Sequence, residues 1–183
     1  ARWNGDLRRV FVTGMSNGGF MSLRVAVDLA HRVAAIAAVT ASLPAALQDR
    51  TPSRPVPVLL MNGTSDPLVP YEGGMVSVLG RERGEILSTD ATMAWWLAHN
   101  RCSADPSSWE LPDRTLLDGA RGEVDAYLAC EAGSEVVLYR IVDGGHTWPG
   151  GRHYLPRLLI GRTCLDFSGT AAIYDFFSRH RLE

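Results

Sequence analysis

Ser16 stands at the centre of Gly14-Met15-Ser16-Asn17-Gly18, with a glycine two positions to either side. A serine hydroxyl is a weak nucleophile. It gains reactivity when an imidazole takes its proton and a carboxylate orients that imidazole. The chain offers both partners, in Asp66 and His146. Asp66 comes shortly after the apolar run Val56 to Met61, and His146 shortly after the run Val136 to Val142. Ser, Asp and His therefore appear in that order, each just past a hydrophobic segment.

Other residues compete for these roles. His31, His99 and His180 fall at the expected C-terminal ends of helices, where an imidazole meets the negative end of the dipole, a structural position. His153 lies in an extended, arginine-flanked loop, and His146 is preferred because Gly144-Gly145 allow a sharp turn before it. Asp143 is only three residues from His146 and suits a turn better than a partner. Asp66-Pro67 would also serve as a plain turn starter.

These residues need elements to position them. Val10 to Val12 reads as a short buried strand, and Phe20, Met21, Leu23, Val25, Val27 and Leu29 give a largely buried helix from Gly18 to about Ala30. Val33 to Val39 and Val56 to Met61 are strands apolar throughout, as in a parallel sheet covered on both faces. Ser42 to Pro55 is a loop. Ser88, Thr89 or Asp90 caps a helix from about Ala91 to His99. Arg101 to Ala132 reads as irregular, with at most a short strand near Tyr127. Val136 to Val142 is the fourth strand, and Asp166 or Ser168 caps a last helix to about Arg179. Strands alternating with helices predict a doubly wound, mainly parallel sheet, whose ligands bind at the carboxyl ends of the strands. Ser16, Asp66 and His146 all fall there.

Composition narrows the chemistry. The 183 residues suffice for one domain, spanning 1–183, and are 46% hydrophobic and 21% charged. Net charge is −2 with the basic residues scattered, so no nucleic-acid footprint is expected. All 18 basic residues are arginine, which excludes Schiff-base lysines, Ser-Lys dyads and a P-loop lysine within this sequence. The longest apolar stretch, Val33 to Leu43, is too short to span a bilayer. The three cysteines lack metal-site spacing. Cys102 and Cys130 flank a loop-rich segment that a disulfide would close, with Cys164 the odd one, or all three are free thiols. The sequence opens without Met, so a processed or trimmed N-terminus is expected.

The G-x-S-x-G pattern fits the nucleophile elbow of α/β-hydrolases. Together with Asn62-Gly-Thr-Ser-Asp-Pro-Leu-Val-Pro-Tyr71 and Gly144-Gly-His-Thr-Trp-Pro-Gly-Gly151, it resembles the polyhydroxybutyrate depolymerase/feruloyl esterase family of that fold. The tail from Leu155-Pro to Asp175-Phe-Phe177 resembles it too. The resemblance implies carboxylic-ester hydrolysis with Ser16 as nucleophile, Asp66 as orienting acid and His146 as base. It implies no metal or organic cofactor and a secreted or periplasmic setting, in keeping with a disulfide. In one respect the chain departs from the family. The elbow strand is normally fifth of eight, yet here it lies within the first dozen residues. Asn17 N–H supplies one oxyanion donor, and the loop that carries the second is not in this sequence. A C-terminal portion of a longer hydrolase is therefore expected, or else self-association or a partner covering the Val10 to Val12 edge.

Tyr71 and Trp148 follow the proposed catalytic residues and are the candidate substrate contacts, whereas Trp95 and Trp96 sit at helical core positions. Feruloyl or acetyl esters of polysaccharide and hydroxyalkanoate esters are equal candidates. The competing readings are a serine peptidase or acyltransferase on the same fold, and a hydrolase-like fragment acting as an interaction or assembly module.

Overall fold

A computed structural model of the chain describes residues 4–78, 80–103 and 105–182. Its first strand, β1 (Phe11–Met15), runs through Ser16 into helix α1 (Asn17–Asp28), and β2 (Ala35–Val39) and β3 (Val58–Gly63) follow. Next come the strands β4 (Gly74–Val78) and β5 (Arg81–Ile86), helix α2 (Thr89–His99), and strands β6 (Ser107–Glu110), β7 (Arg121–Tyr127) and β8 (Val136–Val142). A single turn, α3 (Arg157–Ile160), and helix α4 (Gly169–Ser178) complete the order.

Six strands form one sheet in the order β1-β2-β3-β8-β7-β6. The first four are parallel, and β7 and β6 extend the sheet antiparallel. The fold is α/β, as the alternation of apolar runs predicts, with a mixed rather than uniform sheet. β1 forms one edge, with no strand beyond it among the described residues.

Helices cover both faces, and side-chain alternation along the strands explains why. Ile36, Ala38, Val58, Leu60, Val136 and Leu138 point to the side covered by α1 and α2, where Leu23, Met93 and the fully buried Trp96 pack. Ala35, Ala37, Val39, Leu59 and Met61 point to the other side, against Ile173 and Phe176 of α4. Burying one side chain such as Phe176 contributes about 3 kcal/mol. β2, Ala-Ile-Ala-Ala-Val, is buried at every position, so helices press on both its faces. α1 is less buried than expected: Met21 is exposed, as is Leu29 just past its end. Ser88 caps α2 and Ser168 caps α4, each accepting from the amide three residues on.

Two regions differ from the expectation. The segment expected to be irregular contains β6 and all of β7. In β7 the buried positions are Gly122, Val124 and Ala126, so only one large apolar residue marks the alternation. The β4–β5 pair forms a separate antiparallel ribbon between β3 and α2. Its buried side chains are Val76 and Ile86, which pack with Val69 and Phe20, while Arg81 to Glu85 face solvent. Charges and Gly84 hide such a ribbon from any periodicity test.

The Cys102–Cys130 disulfide is present and ties the end of α2 to the segment after β7. Closing a loop of 28 residues stabilises by about 3–4 kcal/mol in the chain-entropy model. Cys164 is a buried free thiol, and burial pushes its pKa up to about 12. Among the described residues no helix is long and apolar enough to cross a membrane.

Candidate active site

The turn from β1 to α1 is held in a conformation that ordinary residues avoid. Ser16 has φ 55° and ψ −117°, a strained pair for a residue with a side chain. Its amide donates to the Val39 carbonyl at 2.9 Å and to Thr40 Oγ1 at 3.2 Å, so the end of β2 fixes the turn. Gly14 allows the close passage: a Cβ there would lie 2.6 Å from the Gly18 carbonyl carbon. Gly18 itself has open space where its Cβ would be, whereas a Cβ on Gly19 would lie 2.6 Å from Ala41 Cβ. The steric demand therefore falls on Gly14 and Gly19, not on both glycines of the G-x-S-x-G pattern.

α1 begins at Asn17 with no side chain capping it and no acid in its first turn. The amides of its first residues keep their positive ends unneutralised beside Ser16. Phe20 N is the first to bond back, to the Ser16 carbonyl at 2.9 Å.

Asp66 and His146 meet directly. His146 Nδ1 lies 2.8 Å from Asp66 Oδ2, and their side chains are 4% and 2% exposed. Asp66 Oδ1 accepts from Leu68 N at 2.8 Å and Val69 N at 2.9 Å, so both carboxylate oxygens are engaged. An ionised carboxylate only accepts, so Nδ1 carries the proton and Nε2 of the neutral ring is left with its lone pair.

Backbone contact brings these two turns together. A Cβ on Gly63 would overlap the Gly144 carbonyl oxygen, and one on Gly145 the Ile160 carbonyl oxygen. Ser65 N donates to Gly144 O at 2.9 Å, and Asp143 N to Thr64 Oγ1 at 2.9 Å. The glycines before His146 thus serve close approach, and the positive φ of that turn falls on Asp143, at 58°. Tyr154 Oη donates to the His146 carbonyl at 2.9 Å.

Ser16 shares the carboxyl-end rim of the sheet with this pair, because β1, β2, β3 and β8 run parallel in register. The structure contains no hydrogen bond between Ser16 Oγ and His146 Nε2 among the described residues. A cavity of about 480 Å³ opens on Ser16 and Asn17, walled by Phe20, Pro44 and, from the ribbon, Val76 and Ile86, with Arg83 and Glu85 at its side.

The two aromatic candidates lie away from this cavity's lining. Tyr71 is 8% exposed; its hydroxyl accepts from Arg140 Nε at 3.0 Å and donates to Asp90 Oδ1 at 3.2 Å. Burial pushes its phenol up to about 12. Trp148 Nε1 donates to Thr170 Oγ1 at 3.1 Å, and the ring packs on the α4 side of the sheet. His153 pairs with Thr163, and His99 stacks on Trp95.

Three supporting residues were given no role from the sequence. Thr40 receives the Ser16 amide, and Tyr154 braces the His146 turn. Asn62 is buried at the end of β3 and bonds both the Ala41 backbone and Thr89 Oγ1, joining β2, β3 and α2 under the site. A polar residue directly after the apolar run Val58 to Met61 was the available signal for Asn62; Thr40 and Tyr154 offer none.

No family model matches the chain. It is 27% identical over 176 residues to "Putative esterase NocK" of Nocardia uniformis subsp. tsuyamanensis, covering 93% of this chain and 51% of that protein. It is 28% identical over 150 residues to "Feruloyl esterase B" of Piromyces equi, covering 80% of this chain and 26% of that protein. The chain thus spans about half the length of one curated relative and about a quarter of the other. A mainly parallel sheet between helices, with esterases as its relatives, defines an α/β fold of the hydrolase kind.

Proposed function

We propose that the chain hydrolyses carboxylic esters through Ser16, His146 and Asp66. The observation that carries the reading is the buried Asp66–His146 hydrogen bond on the same sheet rim as the strained Ser16. Ser16 Oγ attacks the ester carbonyl while His146 Nε2 takes its proton, and Asp66 holds the ring in the tautomer that can do so. The tetrahedral oxyanion is stabilised by the amide of Asn17 at the uncapped start of α1. His146 then protonates the departing alkoxide. Water, deprotonated in turn by His146, releases the acid. The serine–imidazole contact forms in the substrate complex, as such contacts often do.

The apolar lining of the Ser16 cavity suits an acyl or alkyl group, and esters of feruloyl, acetyl or hydroxyalkanoate type are the substrate classes favoured. The disulfide supports an oxidising compartment, outside the cytosol or in the periplasm. The reading is tested with a fluorophosphonate probe and peptide mapping. Labelling confined to Ser16 and abolished in His146→Ala is expected; a folded chain left unlabelled would overturn it.

A further inference from the structure

A second cavity, of about 550 Å³, lies beside the His146 turn, walled by Asp118, Arg152, His153, Arg157, Arg162 and Thr163. Gly145 N donates to the Arg162 carbonyl at 2.8 Å, which joins its wall to that turn. Three guanidiniums and an imidazole thus face a single carboxylate.

That carboxylate is engaged by backbone. Asp118 Oδ1 accepts from Ala120 N at 2.8 Å and Oδ2 from Leu165 N at 2.7 Å. Two of the arginines are held by neutral carbonyls instead. Arg157 Nη2 donates to the Asp118 carbonyl at 3.1 Å, and Arg162 Nη1 to the Gly119 carbonyl at 2.8 Å. These are consecutive carbonyls of one turn, so two like charges are anchored close together. Gly119, at φ 72°, leaves room for them: a Cβ there would press on the Arg162 guanidinium at 3.3 Å. Asp143, more than half exposed, reaches Arg162 Nη1 only at 3.9 Å. Arg152 has no hydrogen bond or ion pair among the described residues. His153 Nδ1 and Thr163 Oγ1 pair with one another at 2.9 Å on the same wall.

Arg152 and Arg157 have no carboxylate partner among the described residues and Arg162 has only the distant, exposed Asp143, so donors stay free in a geometry that matches an oxyanion. A bare phosphate would leave most of 550 Å³ unfilled, a volume in the range of sites for small organic ligands. We propose that this cavity binds an anionic, monosaccharide-sized ligand, whose carboxylate or phosphate group is held by Arg152, Arg157 and Arg162. The site stands independently of the ester-hydrolysis reading.

The test is titration calorimetry of the whole chain at fixed ionic strength with glucuronate, glucose 6-phosphate and uncharged glucose. Saturable binding of an acidic sugar without binding of glucose is expected. Glucuronate alone assigns a carboxylate, glucose 6-phosphate alone a phosphate, and both together the shared oxyanion chemistry. Arg162→Gln and, separately, Arg152→Gln should each weaken that binding about tenfold or more, the scale of one charge-assisted contact. Arg152 has no partner among the described residues, so its variant tests the site with the fold intact. Absence of binding by both acidic sugars, or affinities unchanged in Arg152→Gln, would overturn the proposal.

Discussion

His146 Nδ1 and Asp66 Oδ2 are 2.8 Å apart, and Asp66 is held in turn by two amides of its own loop. The carboxylate therefore cannot rotate away without breaking three hydrogen bonds in a nearly closed space. Replacing it with an amide of the same shape presents an N–H or a neutral oxygen to Nδ1 and no longer fixes the tautomer. In Asp66→Asn, turnover of an activated ester is expected to fall about 10³–10⁴-fold with far-UV circular dichroism unchanged. A fall of less than threefold would separate Asp66 from the chemistry.

Gly14 and Gly18 occupy equivalent places in the pattern yet differ in their surroundings. A methyl group on Gly14 collides with the Gly18 backbone, whereas one on Gly18 meets nothing within 4 Å. Gly14→Ala is expected to destabilise the chain by roughly 2–3 kcal/mol, as overpacking does, and to displace Ser16. Gly18→Ala, in the first turn of α1, is expected to be neutral or to stabilise by up to about 1 kcal/mol. Urea unfolding of the two variants measures the contrast, and equal destabilisation would refute it.

Acid stability reports on a different pair. Burial raises the Glu135 carboxyl, but His180 Nε2 at 3.7 Å and the Arg179 guanidinium at 2.8 Å overcome that effect and hold it down, at about 2. A carboxyl whose pKa is lower folded than unfolded stabilises above its unfolded value, and that contribution is lost as pH falls through the folded one. The stability gap between the wild-type chain and Glu135→Gln should be full above about pH 5 and shrink toward pH 2. Chemical denaturation across that range checks it; a gap independent of pH would be contrary.

How much the sequence revealed depended on how each element buries its residues. β2, β3 and β8 are flanked by helices or strands on every side, so their apolar runs announce them, and β8 has the bounds expected from Val136 to Val142. β7 turns glycine and alanine inward and leaves little contrast along its length. Among the described residues the β4–β5 ribbon buries Val76 and Ile86, and its exposed strand is mostly charge. It nevertheless walls the cavity at Ser16, so this part of the proposed site was the least legible. Asp66 follows β3 by three residues and His146 follows β8 by four, so each lies just past an apolar run that the sequence displays. Their contact, however, depends on Gly63 and Gly145 meeting backbone from distant segments, which no local pattern encodes. Tyr71 looked like a pocket residue from its place after Asp66, but Arg140, more than sixty residues on, draws its hydroxyl into a buried network.

The most direct test of the central claim is hydrolysis of p-nitrophenyl acetate by this chain beside Ser16→Ala. Measurable turnover is expected, falling at least about 10³-fold in the variant, with both chains folded. Equal rates in the two chains, whether high or near background, would contradict it.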